Sequence, residues 1–135
     1  MECKQLTEGL SVRGQITPAD IQAIKAQGFA RIICNRPDGE KPDQPCADDV
    51  RAAVEAAGLE FVHNPIVPGG ITPEAVEAQR KAIAEADGPV LAYCGSGQRA
   101  TALWMVANPH GLSADDRIKC ATDAGYDLAM LRPRL

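Results

Sequence analysis

Short β-forming runs alternate with helix-forming stretches along most of this chain, and few folds accept that order. FARIIC (29–34), LEFVHNPIV (59–67) and PVLAYC (89–94) are rich in apolar and β-branched residues. A helix-like stretch precedes each of them. Thr17 as N-cap and Pro18 in the first turn open the first, Ile21 and Ile24 give it an apolar face, and Gly28 closes it. Residues 47–57 form the second, closed by Gly58. Thr72-Pro73 opens a third that runs to about Ala86, before Gly88-Pro89 breaks it. The alternation predicts one α/β domain over 1–135, with a mostly parallel sheet flanked by helices. The first sixteen residues predict one or two short edge strands. The C-terminal third predicts helix at RATALWMVAN, a second helix capped by Ser113, and a trailing YDLAMLRPRL.

The 135 residues can bury roughly two-thirds of their unfolded surface, so the core needs no staple or metal. Fourteen Lys and Arg against eighteen Asp and Glu leave a net charge of −4, and aromatics are only 4%. That balance argues against a nucleic-acid partner, which needs basic excess and stacking surface. MECKQLTEGL lacks the apolar core of a secretory signal, and the longest apolar runs are too short to span a bilayer. Cys3, Cys34, Cys46, Cys94 and Cys120 are odd in number and widely spaced, which suits neither a disulfide framework nor a metal site. These features predict a cytoplasmic protein with reduced thiols, no membrane partner and no cofactor.

In an open parallel sheet, ligands sit beyond the carboxyl ends of the strands. There the chain reads Tyr93-Cys94-Gly95-Ser96-Gly97-Gln98-Arg99-Ala100-Thr101. Gly95 and Gly97 permit backbone angles that turn consecutive N–H groups inward as an anion nest across Gly95, Ser96, Gly97 and Gln98. The following helix adds the partial positive charge of its N-terminus. Arg99 offers a planar fork to two oxygens of an oxyanion. The same field favours thiolate over thiol at Cys94, and the thiolate is the nucleophile. A buried cysteine before an ordinary strand-to-helix turn is the plainer alternative.

Cys94 to Arg99 resembles the active-site loop of cysteine-dependent phosphatases and of rhodanese-type sulfurtransferases. With IICNRPDGE and NPIVPGGITPE ahead of GPVLAYCGSGQRA, the chain resembles the bacterial beta-lactamase-hydrolase-like, phosphatase-like domain family over about residues 5–130. The resemblance implies the fold of dual-specificity phosphatases, catalytic roles for Cys94 and Arg99, and a small oxyanion or phosphorylated substrate. The loop departs from the phosphatase pattern in four ways. Four residues separate Cys94 from Arg99 where phosphatases place five, a count shared with rhodanese-type loops. Tyr93 stands where phosphatases have His. Ala100 follows the arginine in place of a hydroxyl residue, with Thr101 one step on. VHNPIVPGGIT has no carboxylate where the dual-specificity group carries its general acid. Protonating the leaving group is worth about 10²–10⁴ in rate, so its absence handicaps attack on alkyl phosphates.

Three further residues are candidate accessories. Asp38 in NRPDGE could replace the missing acid, against a plain turn role for Pro37-Asp38-Gly39. Arg36 could supply a second cation. Cys34 could trap oxidised Cys94 as a disulfide, if their strands are neighbours and both thiols share a face. His63 and His110 read as structural, and Trp104 as core. The readings left open are a cysteine-dependent phosphatase-like hydrolase, a sulfurtransferase that passes sulfur from a sulfane donor to a thiol acceptor through a Cys94 persulfide, and a weakly catalytic anion-binding or redox-sensing module. The oligomeric state is not legible.

Overall fold

Five four-residue strands form one sheet in the computed structural model, which describes residues 3–135. They are β1 (Lys4–Thr7), β2 (Leu10–Arg13), β3 (Arg31–Cys34), β4 (Glu60–His63) and β5 (Val90–Tyr93). Their order is β1-β2-β5-β3-β4, and only the β1–β2 pair is antiparallel. The helices are α1 (Ile21–Ala26), α2 (Ala47–Ala56), α3 (Pro73–Ala84), α4 (Gln98–Ala107) and α5 (Ala114–Asp123). Short 3₁₀ turns at Pro18–Asp20 and Ala129–Arg134 complete the chain. No helix among the described residues is long and apolar enough to cross a membrane.

The helices divide between the two faces of the sheet, and strand alternation decides which side chains meet them. On one face, Ile32, Cys34, Leu91 and Tyr93 pack with Ile21 and Ile24 of α1 and Val50 and Val54 of α2. On the other, Ile33, Val90, Ala92 and Cys94 pack with Ile83 of α3, Trp104 of α4 and Ala121 of α5. Both faces of β5 are therefore covered, and all four of its residues are buried.

The local grammar holds with two differences. Thr72 accepts the Ala75 amide at 3.1 Å and Ser113 accepts the Asp116 amide at 3.0 Å, so both start their helices as expected. The N-terminal segment, of which residues 1–2 lie outside the described residues, supplies an edge strand in β1 only. β2 is interior, lying between β1 and β5. The 59–67 run pairs as a strand only to His63. Beyond it, Asn64 turns inward to donate to the Ala75 carbonyl and the Gln79 side chain at 2.9 and 3.0 Å, and Pro65 has no N–H for a ladder.

Candidate active site

β5 delivers Cys94 to the carboxyl edge of the sheet, and the next residues turn into α4. The turn needs Gly97, which caps the helix in a left-handed conformation at φ 94°. Its amide donates to the Cys94 sulfur at 3.1 Å, while its carbonyl accepts the Thr101 hydroxyl at 2.7 Å. Thr101 is thus engaged by the helix backbone. The Cys94 side chain is buried beneath the loop, at 1% exposure. The amides of Gly95 and Ser96 have no acceptor among the described residues. The Ser96 hydroxyl accepts the Gln98 amide at 3.4 Å, and the Ser96 carbonyl accepts the Tyr126 hydroxyl at 3.0 Å. Cys94, Gly95, Ser96, Gly97 and Gln98 therefore form one compact turn at the positive end of α4.

Two guanidinium groups lie over this turn. A methyl group placed on Gly95 would stand 3.4 Å from an Arg99 Nη2 and 3.7 Å from Arg36 Nε. Arg99 comes from the first turn of α4, and Arg36 from the segment after β3. The structure therefore brings together Cys94, Arg99 and the accessory candidate Arg36.

Glu40 joins the two cations, a role that the sequence reading does not assign to it. Arg99 donates to its two carboxylate oxygens at 2.8 Å each, and to the Ile66 carbonyl at 2.8 Å. Arg36 donates to Glu40 through Nε at 2.8 Å and to the Gln15 side chain at 3.0 Å. Hydrogen bonds from Arg99 and then Arg36 hold the Glu40 carboxyl down at about 2, and the pair with Glu40 raises Arg99 above its ordinary value. A carboxyl held that low is a poor proton donor near neutrality.

Asp38 takes another role. Its Oδ1 accepts the Ala47 amide at 2.8 Å, satisfying an N–H in the first turn of α2. Tyr93 points away from the loop, into the face covered by α1 and α2. Burial pushes its phenol far above the ordinary value.

Cys34 and Cys94 do not meet the condition for a disulfide. Their strands are neighbours, as expected, but the register sets Cys34 opposite Tyr93. Cys34 packs with the α1–α2 face and Cys94 with the α3–α5 face. The expected pairing fails because adjacent residues of a strand point to opposite sides of the sheet. The Cys34 thiol donates instead to the Arg36 carbonyl at 3.3 Å, and burial pushes it up from its ordinary value.

A buried polar network supports the loop from behind. Asn35 donates to the Asn64 carbonyl and to the Gln79 side chain at 2.9 Å each, and Gln79 donates back to Asn35 at 3.0 Å. The Asn35 carbonyl accepts the Ile66 amide at 3.1 Å. Ile66 carries the carbonyl that receives Arg99, so the network fixes one of the arginine's acceptors.

The family model for beta-lactamase hydrolase-like protein, phosphatase-like domain, matches residues 2–110. A beta-lactamase hydrolase-like protein of Agrobacterium fabrum is 38% identical over 119 residues, 88% of this chain and 27% of that protein. Another from Xylella fastidiosa is 34% identical over 130 residues, 95% of this chain and 30% of that protein. The chain thus spans less than a third of the curated relatives it matches. A crystal structure of a candidate phosphatase from Neisseria meningitidis superposes with a TM-score of 0.84 at 38% identity, covering 96% of this chain and 93% of that one. The mostly parallel sheet, its helices and these likenesses give the chain a phosphatase-like architecture, and it belongs to the beta-lactamase hydrolase-like protein, phosphatase-like domain family.

Proposed function

We propose that the chain is a cysteine-dependent phosphomonoester hydrolase that favours substrates with good leaving groups. The observation that carries this reading is the convergence of Arg99 and Arg36 on a glycine-rich turn that holds the Cys94 sulfur. Cys94 thiolate attacks phosphorus; an S–P bond forms as the P–O ester bond breaks, and the alkoxide or phenoxide leaves to be protonated by water. Water then attacks the thiophosphate, the S–P bond breaks, and inorganic phosphate departs with Cys94 restored as thiolate. The Gly95 and Ser96 amides, which have no acceptor among the described residues, and the two guanidiniums stabilise the charge that builds on the equatorial oxygens, while the Gly97 amide holds the sulfur. The carboxylate at this site is Glu40, which is held ionised, so departure is left largely to the chemistry of the leaving group.

The test is phosphate release from phenyl phosphate and phosphoserine peptides, with Cys94→Ser and Arg99→Lys beside the wild type. Release from phenyl phosphate, at least about 10²-fold faster than from the peptides, is expected to vanish in Cys94→Ser. No release from any ester by the wild type would overturn the reading.

The four-residue span from Cys94 to Arg99 favours a second reading, sulfur transfer. Cys94 thiolate attacks the outer sulfur of thiosulfate, an S–S bond forms and sulfite leaves; an acceptor thiolate then takes that sulfur and restores Cys94. A mass gain of one sulfur on Cys94 after thiosulfate, with no phosphate release from any ester, would select it.

A further inference from the structure

Beside the loop opens a cleft of about 530 Å³, a size ordinary for small-molecule sites. One wall is the segment after β4, with Ile66 and Ile71, and the other is the C-terminal turn, with Leu128 and Met130. Arg99 lines it together with Ser96 and Gln98, so the cleft adjoins the Cys94 loop. Met130 is 67% exposed, an unusual state for a large apolar side chain that lines a cavity.

Arg134 also lines the cleft and differs from most arginines of this chain. Arg31, Arg36, Arg80, Arg99 and Arg132 each pair with a carboxylate. Among the described residues Arg134 pairs with no carboxylate and makes a single 3.5 Å approach to the Ile71 carbonyl. Arg99 binds the carbonyl of Ile66 and Arg134 approaches that of Ile71, so the two cations flank one apolar wall.

We propose that this cleft seats the leaving group of the substrate, and that the substrate is an aryl phosphomonoester larger than one ring with a second acidic group. This rests on the phosphatase reading above. The apolar walls select a hydrophobic body, Arg134 selects the second negative charge, and the ionised Glu40 requires a leaving group that departs without a proton donor.

The experiment compares phenyl phosphate, 2-naphthyl phosphate and 6-carboxy-2-naphthyl phosphate on wild type, Met130→Glu and Arg134→Ala. Both replaced side chains are exposed, and circular dichroism of each variant checks that the fold is kept. In the wild type, kcat/KM is expected to rise on the order of ten-fold from phenyl to 2-naphthyl, and several-fold again with the carboxylate. Met130→Glu is expected to erase the first gain and Arg134→Ala the second. Calorimetric binding of 6-carboxy-2-naphthyl phosphate to Cys94→Ser, with and without Arg134→Ala, reads the cleft without turnover. Hydrolysis of phenyl phosphate with the same substrate ratios in all three proteins overturns the cleft and spares the phosphatase reading. Absence of hydrolysis, with binding that Arg134→Ala weakens, overturns the phosphatase reading and keeps the cleft as an aryl-anion site. Absence of both overturns both.

Discussion

Arg99 and Glu40, 59 residues apart in sequence, face each other through two parallel hydrogen bonds of 2.8 Å. The arginine in the first turn of α4 is thereby oriented by a carboxylate from the segment after β3. Bidentate pairing of this kind fixes a guanidinium plane as well as neutralising it. Glu40→Gln keeps one acceptor oxygen and removes the charge. It should slow turnover by about ten-fold while inorganic phosphate inhibits more strongly, because two cations are left facing the loop. Steady-state kinetics with phosphate as inhibitor separates the two effects. Equal turnover and equal inhibition in both proteins would remove Glu40 from the site.

The same pair sets a pH dependence. Glu40 titrates at about 2 against an ordinary 4.5, so its folded value is depressed. Its contribution to stability is complete above about 4.5 and is lost as the pH falls toward 2. The stability gap between wild type and Glu40→Gln, read by urea melts, should be flat from about pH 9 to about pH 5 and close below it. A gap that changes near neutrality would assign the effect to another group.

Asp38→Asn should leave the rate on phenyl phosphate unaltered, since the Asp38 Oδ1 is engaged by the Ala47 amide at the start of α2. Asp38→Ala should lose about 1 kcal/mol of stability, as removal of a helix-capping side chain does. If Asp38→Asn instead slowed turnover by about 10²-fold or more, with the melt unchanged, the acid role would be restored.

Gln79 lies at the centre of the Asn35–Asn64 network with 0% exposure. Gln79→Leu leaves donors of Asn35 and Asn64 buried without that partner and should cost about 2–4 kcal/mol. Thermal unfolding measures it. A loss under about 0.5 kcal/mol would mean that the two asparagines find other acceptors.

Mild peroxide should carry Cys94 beyond sulfenic acid while Cys34 remains a thiol, because the two residues face opposite sides of the sheet. Peptide mapping without reductant reads both fates. A Cys34–Cys94 disulfide at high yield would show that the loop turns over in solution.

Much of this molecule is legible in the chain because it depends on short-range rules. Thr72, Ser113 and Gly97 mark helix starts through contacts with residues a few places on, and PVLAYC is apolar enough to demand cover on both faces. Cys94 and Arg99 stand close together in one turn, so their convergence is legible too. Glu40 is not, since its partners are set by which strands become neighbours. The spacing of Arg36 and Glu40 is the available signal, and within a turn-rich stretch it reads as ordinary surface charge. Gln79 is hidden for the same reason: its two asparagine partners come from the ends of different strands. The side-chain faces of Cys34 and Cys94 follow from register, which no single stretch of sequence fixes.

A methyl group on Gly14 would fall 2.9 Å from the Gly95 carbonyl oxygen, and one on Gly97 would collide with the Tyr126 hydroxyl. The turn is thus pressed between the end of β2 and the Tyr126 side chain. A side chain at Gly14 or Gly97 reshapes the turn unless the Gly95 backbone or the Tyr126 ring gives way, so Gly14 and Tyr126, both outside the Cys94–Arg99 span, share control of its shape.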